Sequence, residues 1–413
     1  MRAPARVAAL VGGLLGGLLT AGFTVLPAPA APAPARGPVW TSPQVVAREA
    51  HSPAVAVNPA GVAVVAWWCD HSICVRRRSP DGGLGRTARI PTTNAASFRV
   101  ALDRDGTATL LHTAPGEGGS VLLAQRLRPD GPVGDPVVVE EDAAPVALDV
   151  SPTGDVAVQV RRDARRWLRV LAADGTVGPE VPLGAESVVE PAADGGFRLF
   201  DQDPDGTLRL RVLRDGDVVA EVTLGTSEAP ADLAVRTDGT AVAAWWEGPR
   251  AERRLRVRHV GPAGEVSPVR ALTGTVEGGR QLELSALPDG RVLAAFRSRS
   301  GVRGGVVPRQ PGPWMRLGPA VLTGYDNLLA VARDRVVVVS LVDTWMDHHV
   351  SAHAWDGRRV SRSTRIIEAP GYDNDCGSSD LVVASGGGHV LVANRRSHSC
   401  RPRYDQLVVT YRR

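Results

Sequence analysis

Asn58-Pro59-Ala60-Gly61 is a turn-forming tetrapeptide, and the apolar run Val62 to Trp68 follows it directly. The same arrangement occurs eight times, at intervals of 42 to 53 residues. The other seven turns are Asp103-Arg104-Asp105-Gly106, Ser151-Pro152-Thr153-Gly154, Ala193-Asp194-Gly195-Gly196, Arg236-Thr237-Asp238-Gly239, Leu287-Pro288-Asp289-Gly290, Ala332-Arg333-Asp334-Arg335 and Ser385-Gly386-Gly387-Gly388. Repeats of this length predict stacked supersecondary units, and strand-rich units of this size are typical of propeller blades.

The second repeat shows the strands of one blade. It predicts strands at Arg99 to Leu102, Thr107 to Thr113, Val121 to Leu127 and Asp135 to Val139. Asp-Gly between apolar runs favours hairpins, because glycine accepts a positive φ. The second strands are apolar at nearly every position, which predicts that they are buried on both faces. The fold class is therefore all-β, a β-propeller of four-stranded antiparallel blades.

The number of repeats predicts eight blades, with seven blades and a degenerate repeat as the alternative. The eighth repeat ends after its third strand, Leu407 to Tyr411. The strand Pro43 to Ala47 has no other partner in sequence. We therefore expect this N-terminal strand to complete the last blade and to close the ring, which removes the exposed sheet edges.

The N-terminal residues are predicted to lie outside the fold. Residues 1–30 have the pattern of a secretory signal peptide. They begin with the basic residues Arg2 and Arg6, continue as an apolar run to Leu26, and end with the small-residue cleavage pattern Ala28-Pro29-Ala30. An uncleaved anchor is the alternative, since the run approaches the length of a membrane span. Residues 31–38 form an Ala/Pro-rich linker, and 39–413 form the propeller.

Charge and hydropathy limit the partners that we expect. The net charge is +4, a mild balance that does not predict a nucleic-acid partner, because such proteins carry a clustered basic face. No other apolar run reaches membrane length, so no span is expected after signal cleavage. We expect a secreted monomer whose partner is an extracellular ligand or protein.

A four-stranded meander sorts its loops onto two faces. The first-to-second and third-to-fourth turns share one face, here called the plain face, and they are short and alike. The second-to-third loops and the connections between blades share the other, here called the variable face, and they are predicted to be long and individual. Binding residues concentrate in variable loops on a rigid scaffold, so the variable face is the predicted working face.

Four cysteines in an exported chain predict two disulfides. Three pairings are open from sequence, and the strand map selects Cys69–Cys74 and Cys376–Cys400. Cys69 and Cys74 would bridge one second-to-third hairpin, and the other two would join adjacent strands of the last blade. A metal site formed by Cys69, His71 and Cys74 is the alternative.

The densest group of polar and aromatic residues falls on the variable face of blades seven and eight, where three of the four tyrosines occur as Tyr-Asp. The candidate ligand-binding residues are Tyr325, Asp326, Asn327, Asp343, Trp345, Asp347, His348, Tyr372, Asp373, Asn374, Asp375, Tyr404 and Asp405. Tyrosine and tryptophan offer flat apolar surfaces with a polar edge, suited to sugars, peptides or protein partners. The carboxylates and amides could hold calcium, although no cofactor and no metal site is predicted. The alternative is that the Asp and Asn residues of each Tyr-Asp phrase only cap the backbone of a turn. The phrase would then recur because the blade itself is repeated.

The first repeat carries a family resemblance. Ala54 to Trp67, followed by Arg76 to Gly82, resembles repeats of secreted actinobacterial propeller proteins, many of which are described as sialidase-like. Ser79-Pro80-Asp81-Gly82-Gly83 is similar to the start of the Asp-box turn of sialidases, without its aromatic residue. Ala88-Arg89-Ile90-Pro91 is similar to that family's arginine motif, again without the aromatic residue.

The sequence favours a non-catalytic protein that binds an extracellular ligand, glycan or protein through its variable face. It has no Gly-x-Ser-x-Gly elbow, no His-Glu-x-x-His motif and no phosphate-binding loop. The alternatives are a hydrolase of glycosidic or lactone bonds acting from the same face, and a structural protein of the cell envelope.

Overall fold

The chain folds as an eight-bladed β-propeller. The computed structural model describes residues 40–412 apart from residues 49, 93–97, 185, 228, 230, 288, 300, 308–314, 317–326, 333–334, 345–346, 356–360, 362, 369–380, 387–388 and 397–405. These described residues form eight four-stranded antiparallel sheets, which confirms the predicted fold class and blade count. None of the described residues belongs to a helix long and apolar enough to cross a membrane. The predicted signal peptide and linker lie outside the described residues.

The first four blades follow one another along the chain. Blade 1 consists of β2 (His51–Val57), β3 (Ala63–Cys69), β4 (Ser72–Arg78) and β5 (Leu84–Pro91). Blade 2 consists of β6 (Phe98–Leu102), β7 (Ala108–Pro115), β8 (Ser120–Leu127) and β9 (Val137–Glu141). Blade 3 consists of β10 (Ala144–Val150), β11 (Val156–Arg162), β12 (Arg165–Leu171) and β13 (Val181–Pro182). Blade 4 consists of β14 (Glu186–Pro191), β15 (Phe197–Gln202), β16 (Thr207–Arg214) and β17 (Asp217–Thr226).

The remaining blades repeat this order, except that the fourth strand of the last blade is the N-terminal strand β1. Blade 5 consists of β18 (Ala231–Val235), β19 (Ala241–Glu247), β20 (Arg254–Val260) and β21 (Arg270–Ala271). Blade 6 consists of β22 (Arg280–Ala286), β23 (Val292–Ser298), β24 (Gly301–Val306) and β25 (Met315–Arg316). Blade 7 consists of β26 (Asn327–Ala332), β27 (Arg335–Thr344), β28 (Asp347–Trp355) and β29 (Thr364–Glu368). Blade 8 consists of β30 (Leu381–Gly386), β31 (His389–Arg396), β32 (Gln406–Arg412) and β1 (Gln44–Arg48).

The N-terminal strand closes the ring, as predicted. In blade 8 the strand order is β1-β32-β31-β30, so the first strand of the chain is the outermost strand of the last blade. Gln44 pairs with Val409 and Arg48 with Gln406. Val46 is buried against the core between blades 8 and 1. The free edge that β32 would otherwise present is thereby covered.

The core lies between the blades. The second strands are buried on both faces, as the apolar runs predict: Ala63 to Ala66 of β3 are fully buried. Between blades 5 and 6, Trp246 packs edge-on against Phe296 with 5.1 Å between ring centroids. Gly279 permits this packing, since a Cβ there would lie 2.8 Å from the Trp246 ring. Each sheet thus buries its two faces against its neighbours, which is how the propeller builds a large core from small units.

The plain face is built from tight turns of one type. The turn glycines Gly61, Gly106, Gly154, Gly195 and Gly239 all have φ between 81° and 90°, a region that glycine adopts without steric cost. Each donates its amide to the carbonyl three residues earlier, as from Gly61 to Asn58 at 2.9 Å. The repeated phrase in the sequence is therefore this turn and the buried strand after it.

The variable face differs in part from the expectation. Its second-to-third loops are individual, but some are tight rather than long. In blade 1 only Asp70 and His71 separate the paired residues Cys69 and Ser72, with φ values of 37° and 56°. In blade 3 Arg162 pairs with Arg165 across a two-residue turn. In blade 5, by contrast, six residues separate the paired Glu247 and Arg254, so short hairpin tips and longer loops both occur on this face.

Several arginines bond the backbone of a neighbouring blade. Arg76 donates to the carbonyl of Val46 in blade 8 at 3.1 Å, and Arg258 donates to the carbonyl of Leu224 in blade 4 at 2.8 Å. Arg126 donates to the carbonyl of Ala172 in blade 3 at 2.9 Å. The guanidinium group offers several donors in a fixed plane, so one side chain can satisfy carbonyls at the edge of a neighbouring sheet.

Candidate functional site

Most of the predicted ligand site in blades 7 and 8 lies outside the described residues. This applies to Tyr325, Asp326, Trp345, Tyr372, Asp373, Asn374, Asp375, Tyr404 and Asp405. Of the others, Asn327 begins β26, and Asp343 is the cross-strand partner of His348 in the β27–β28 hairpin. Asp347 pairs with Thr344 beside them. The backbone register therefore places Asp343, Asp347 and His348 at one hairpin end on the variable face, and the site as a whole stays a prediction.

The disulfide prediction is confirmed for one of its two pairs. Cys69 and Cys74 are bonded, with a Cα–Cα distance of 5.9 Å, at the tip of the β3–β4 hairpin. The alternative metal site of Cys69, His71 and Cys74 is therefore wrong, because both sulfur atoms are engaged. Cys376 and Cys400 lie outside the described residues. Within the part of the chain that the structure describes, no group of three or more His, Cys, Asp or Glu side chains is arranged to hold a metal ion.

The described part of the variable face carries three neighbouring grooves, each between two blades. The blade 2–3 groove encloses about 600 Å³ and is lined by residues that include Ser120, Asp142, Arg161 and Arg162. The blade 3–4 groove is larger, about 860 Å³. The blade 4–5 groove encloses about 520 Å³ and is lined by residues that include Asp205, Ser227 and Glu247. Sequence reasoning identified the face but not these grooves.

The blade 3–4 groove holds a network of ion pairs. Arg209 lies 2.5 Å from a carboxylate oxygen of Asp203 and 3.1 Å from one of Glu221. The three side chains keep 41%, 25% and 44% of their surface exposed, so they present polar groups to the groove. The negative charge of Asp203 holds the pKa of Arg209 above its usual value. The two ion pairs therefore hold the three side chains together at the groove.

The floor of the same groove is more deeply buried. Arg211 is paired with the buried Asp201 and also donates to the carbonyl of Pro182 at 2.6 Å. The Arg211–Asp201 pair therefore forms the floor without a ligand. On the opposite side of β12, facing blade 2, the Trp167 indole is 7% exposed and donates to Glu140 of β9 at 3.2 Å. Burial acts to raise the pKa of Glu140, but the hydrogen bond and charge of Arg169 outweigh it and hold that pKa below its usual value.

A second cluster of charged groups, which the sequence did not point to, lies around the central axis. Asp149, Glu190, Asp232 and Glu283 come from the innermost strands β10, β14, β18 and β22 of four consecutive blades. Burial raises the pKa of Asp149 to about 7 and that of Asp232 to about 8. Burial, with added repulsion from the other three carboxyl groups, raises the pKa of Glu190 well above its usual value. These four residues are here called the channel carboxyls.

The channel carboxyls differ in their access to solvent. By accessible surface Asp149, Glu190 and Asp232 are partly buried, whereas Glu283 is exposed even though burial raises its pKa. We therefore attribute the shifted titration mainly to the first three. Asp232 accepts a hydrogen bond from the amide of Leu284 in the next blade. Arg99 of β6 donates to the carbonyl oxygen of Val146 on β10, the strand that carries Asp149, and to that of Phe98.

One signal in the sequence could have found the channel carboxyls. Asp149 and Glu190 each stand five positions before the turn glycine of their repeat, Gly154 and Gly195. Asp232 and Glu283 each stand seven positions before theirs, Gly239 and Gly290. An acidic residue inside the first strand of four repeats in succession is the pattern to look for.

Comparison with known proteins defines no family. No protein-family model matches the chain, and no curated protein matches it. The class of protein is defined by the sheet topology, an eight-bladed β-propeller.

Among solved structures, the β-propeller domain of the Trilobed protease from Pyrococcus furiosus is 11% identical, with a TM-score of 0.48, over 77% of this chain and 94% of that one. Virginiamycin B lyase from Staphylococcus aureus is 10% identical, with a TM-score of 0.43, over 90% and 99%. AofleA from Arthrobotrys oligospora is 12% identical, with a TM-score of 0.36, over 67% and 87%. These are distant similarities, and no ligand or activity is carried over from them.

Proposed function

We propose that the protein is an exported, monomeric, non-catalytic binding protein that takes an extracellular ligand through its variable face. Two features support export: the signal-peptide pattern over 1–30, and the Cys69–Cys74 disulfide, since disulfides persist mainly in oxidising compartments. The resemblance of the first repeat to secreted sialidase-like proteins is consistent with this location.

The observation that carries the proposal is the blade 3–4 groove. It combines a volume within the range of ligand sites, a floor fixed by the Arg211–Asp201 pair and an exposed polar group at Arg209. Its walls come from hairpins of two rigid sheets, so little ordering is needed when a ligand binds. A pre-formed polar groove of this kind suits recognition.

The hydrolase alternative has less support in the described residues. The carboxyl groups whose pKa is raised are the channel carboxyls, whereas Asp201, Asp203 and Glu221 in the groove are ion-paired with arginine. Glycoside hydrolysis needs a carboxyl group that is free to donate a proton, and these three groups are engaged by arginine. Turnover of glycosides or lactones by the mature protein would overturn the non-catalytic assignment.

A binding screen on the mature protein, residues 31–413, tests the proposal. Glycan and peptide arrays and calcium serve as probes, with Arg209→Ala for the groove and with Tyr325→Ala, Tyr372→Ala and Asp373→Ala for the loops of blades 7 and 8. Arg128→Ala, an exposed arginine on the plain face, is the matched control. We expect a ligand whose binding is weakened by Arg209→Ala and unchanged by Arg128→Ala. A ligand that all the variable-face variants bind normally would place the site elsewhere.

A further inference from the structure

The three grooves on the variable face form one continuous arc. The β11–β12 hairpin separates the first two, with Arg161, Arg162 and Asp163 lining one groove and residues 164–167 lining the next. The β15–β16 loop separates the second from the third, with Asp203 and Pro204 on one side and Asp205 and Gly206 on the other. A ligand that leaves one groove over a hairpin tip therefore enters the next.

The charges along this arc are nearly balanced. The three grooves together are lined by six arginines and eight carboxylates. Five of the carboxylates are ion-paired with arginine: Asp201, Asp203, Glu221, Glu180 and Glu247. Asp205 accepts a hydrogen bond from the Thr207 amide at 2.9 Å. Four of the arginines, Arg161, Arg162, Arg165 and Arg166, lie at the β11–β12 hairpin, where Arg162 pairs with Glu140 and where Asp142 and Asp163 line the same groove as Arg161. A polyanion or polycation requires a longer row of unopposed charges of one sign, which the described lining residues do not offer.

The walls alternate polar groups with small apolar surfaces. In the blade 3–4 groove Pro182 and Pro204 are exposed next to the Arg209 cluster. Sugar rings have the matching character, with hydroxyl groups around the edge and C–H groups on the faces. Planar carboxylate and guanidinium groups that are already fixed by each other can bond hydroxyl groups at little entropic cost.

On these grounds we propose that the arc binds a neutral, linear oligosaccharide that crosses all three grooves. This rests on the proposed binding function and names its ligand class. The linear shape follows from three grooves in series, and the neutral character follows from the paired charges that line them.

Titration calorimetry with neutral oligosaccharides of increasing length tests the proposal. Gluco-, manno- and N-acetylglucosamine oligomers serve as probes, at low and at high salt. Affinity is expected to rise with chain length until the ligand spans the three grooves, and to change little with salt, because screening affects charged partners most. Arg209→Ala should weaken binding of the longest ligand by about tenfold, the loss typical of one charge-assisted hydrogen bond.

Variants in the two outer grooves distinguish a ligand that spans all three grooves from one that binds in the central groove alone. Arg161→Ala in the blade 2–3 groove and Glu247→Gln in the blade 4–5 groove should weaken only the longer ligands, with Arg128→Ala unchanged. Glu221→Gln should also weaken binding. Because glutamine keeps the shape of glutamate, that loss would not reflect misfolding of the central groove. Thermal melts check that each variant is folded. Affinity that is independent of ligand length would overturn the arc.

The outcomes also separate this inference from the proposed function. If a peptide or an acidic glycan binds in an Arg209-dependent way and neutral oligosaccharides do not, the ligand class is wrong while the binding function stands. If no probe binds at the grooves or at the loops of blades 7 and 8, both are wrong.

Discussion

The hydroxyl group of Tyr411 donates a hydrogen bond of 2.9 Å to the carbonyl oxygen of Gly61, which lies 350 positions away in the chain. Tyr411 is fully buried, and the Arg78 guanidinium lies 3.9 Å from the centre of its ring. The bond joins blade 8 to the first turn of blade 1. Arg77 and Arg126 make the same connection in the next two blades, to the carbonyl oxygens of Gly106 and Gly154.

Tyr411→Phe tests this connection. The substitution removes only the hydroxyl group and leaves the buried Gly61 carbonyl without this donor, which should lower the free energy of unfolding by about 1–3 kcal/mol. Chemical denaturation monitored by tryptophan fluorescence measures the change. Val219→Ala, at an exposed position, is the control and should have little effect. A Tyr411→Phe protein as stable as wild type would show that the bond does not help to close the ring.

Removal of the N-terminal strand tests the closure itself. Deletion of residues 38–48 takes away β1 and the buried side chain of Val46, and it exposes the edge of β32. We expect a lower Tm and self-association in size-exclusion chromatography, because an uncovered strand edge pairs with other chains. Deletion of residues 1–37, which precede the propeller unit, is the matched control and should leave Tm unchanged. Unchanged stability after the longer deletion would contradict the closure.

The channel carboxyls predict how stability depends on pH. Their pKa values are higher in the folded protein than the ordinary values of 3.8 for Asp and 4.5 for Glu. The carboxyls therefore release protons on unfolding, so their contribution to stability is full below about pH 4 and is lost as the pH rises through about 7 and about 8. Thermal melts between pH 5 and pH 8.5 should show Tm falling as the pH rises.

Glu190→Gln identifies the source of that dependence. Glutamine keeps the shape of glutamate but cannot ionise, so the variant should be more stable than wild type at pH 8 and should show a flatter pH profile. The gain should shrink as the pH falls, because the raised pKa of Glu190 favours its neutral form in the folded protein. Glu265→Gln, at an exposed carboxyl on the plain face, is the control. A wild-type profile in the Glu190→Gln protein would assign the pH dependence to other groups.

The Cys69–Cys74 disulfide should stabilise the β3–β4 hairpin modestly. Because it closes a loop of only a few residues, chain entropy predicts a contribution of about 2 kcal/mol. The double variant Cys69→Ser/Cys74→Ser should lower the free energy of unfolding by about that amount. Peptide mapping without reduction checks the pairing and also tests Cys376–Cys400. A peptide that joins Cys74 to Cys376 would contradict the strand register.

Local sequence patterns were enough to predict the architecture of this chain. A turn and its buried strand involve neighbouring residues, so each repeat carries its own signal, and eight such signals determine the blade count. The missing strand after Tyr411 and the unpartnered strand near Gln44 predicted the closure of the ring. The Cys69–Cys74 disulfide could be predicted from the single hairpin that joins the two cysteines. The division of the loops into two faces also followed, because it depends only on the order of strands within a blade; that the variable face is the working face stays a prediction.

Only the tertiary structure decided which residues from different repeats meet. Asp149 and Glu190 belong to different blades, and only the closed ring buries them around one axis; that burial raises the pKa of both, and repulsion from the other carboxyls adds to it at Glu190. The blade 3–4 groove likewise joins Arg166 of one sheet to Arg209 of the next. Sequence determines what a repeat contains because its contacts are local, whereas charge and shape between blades depend on distances that appear only when the ring has closed.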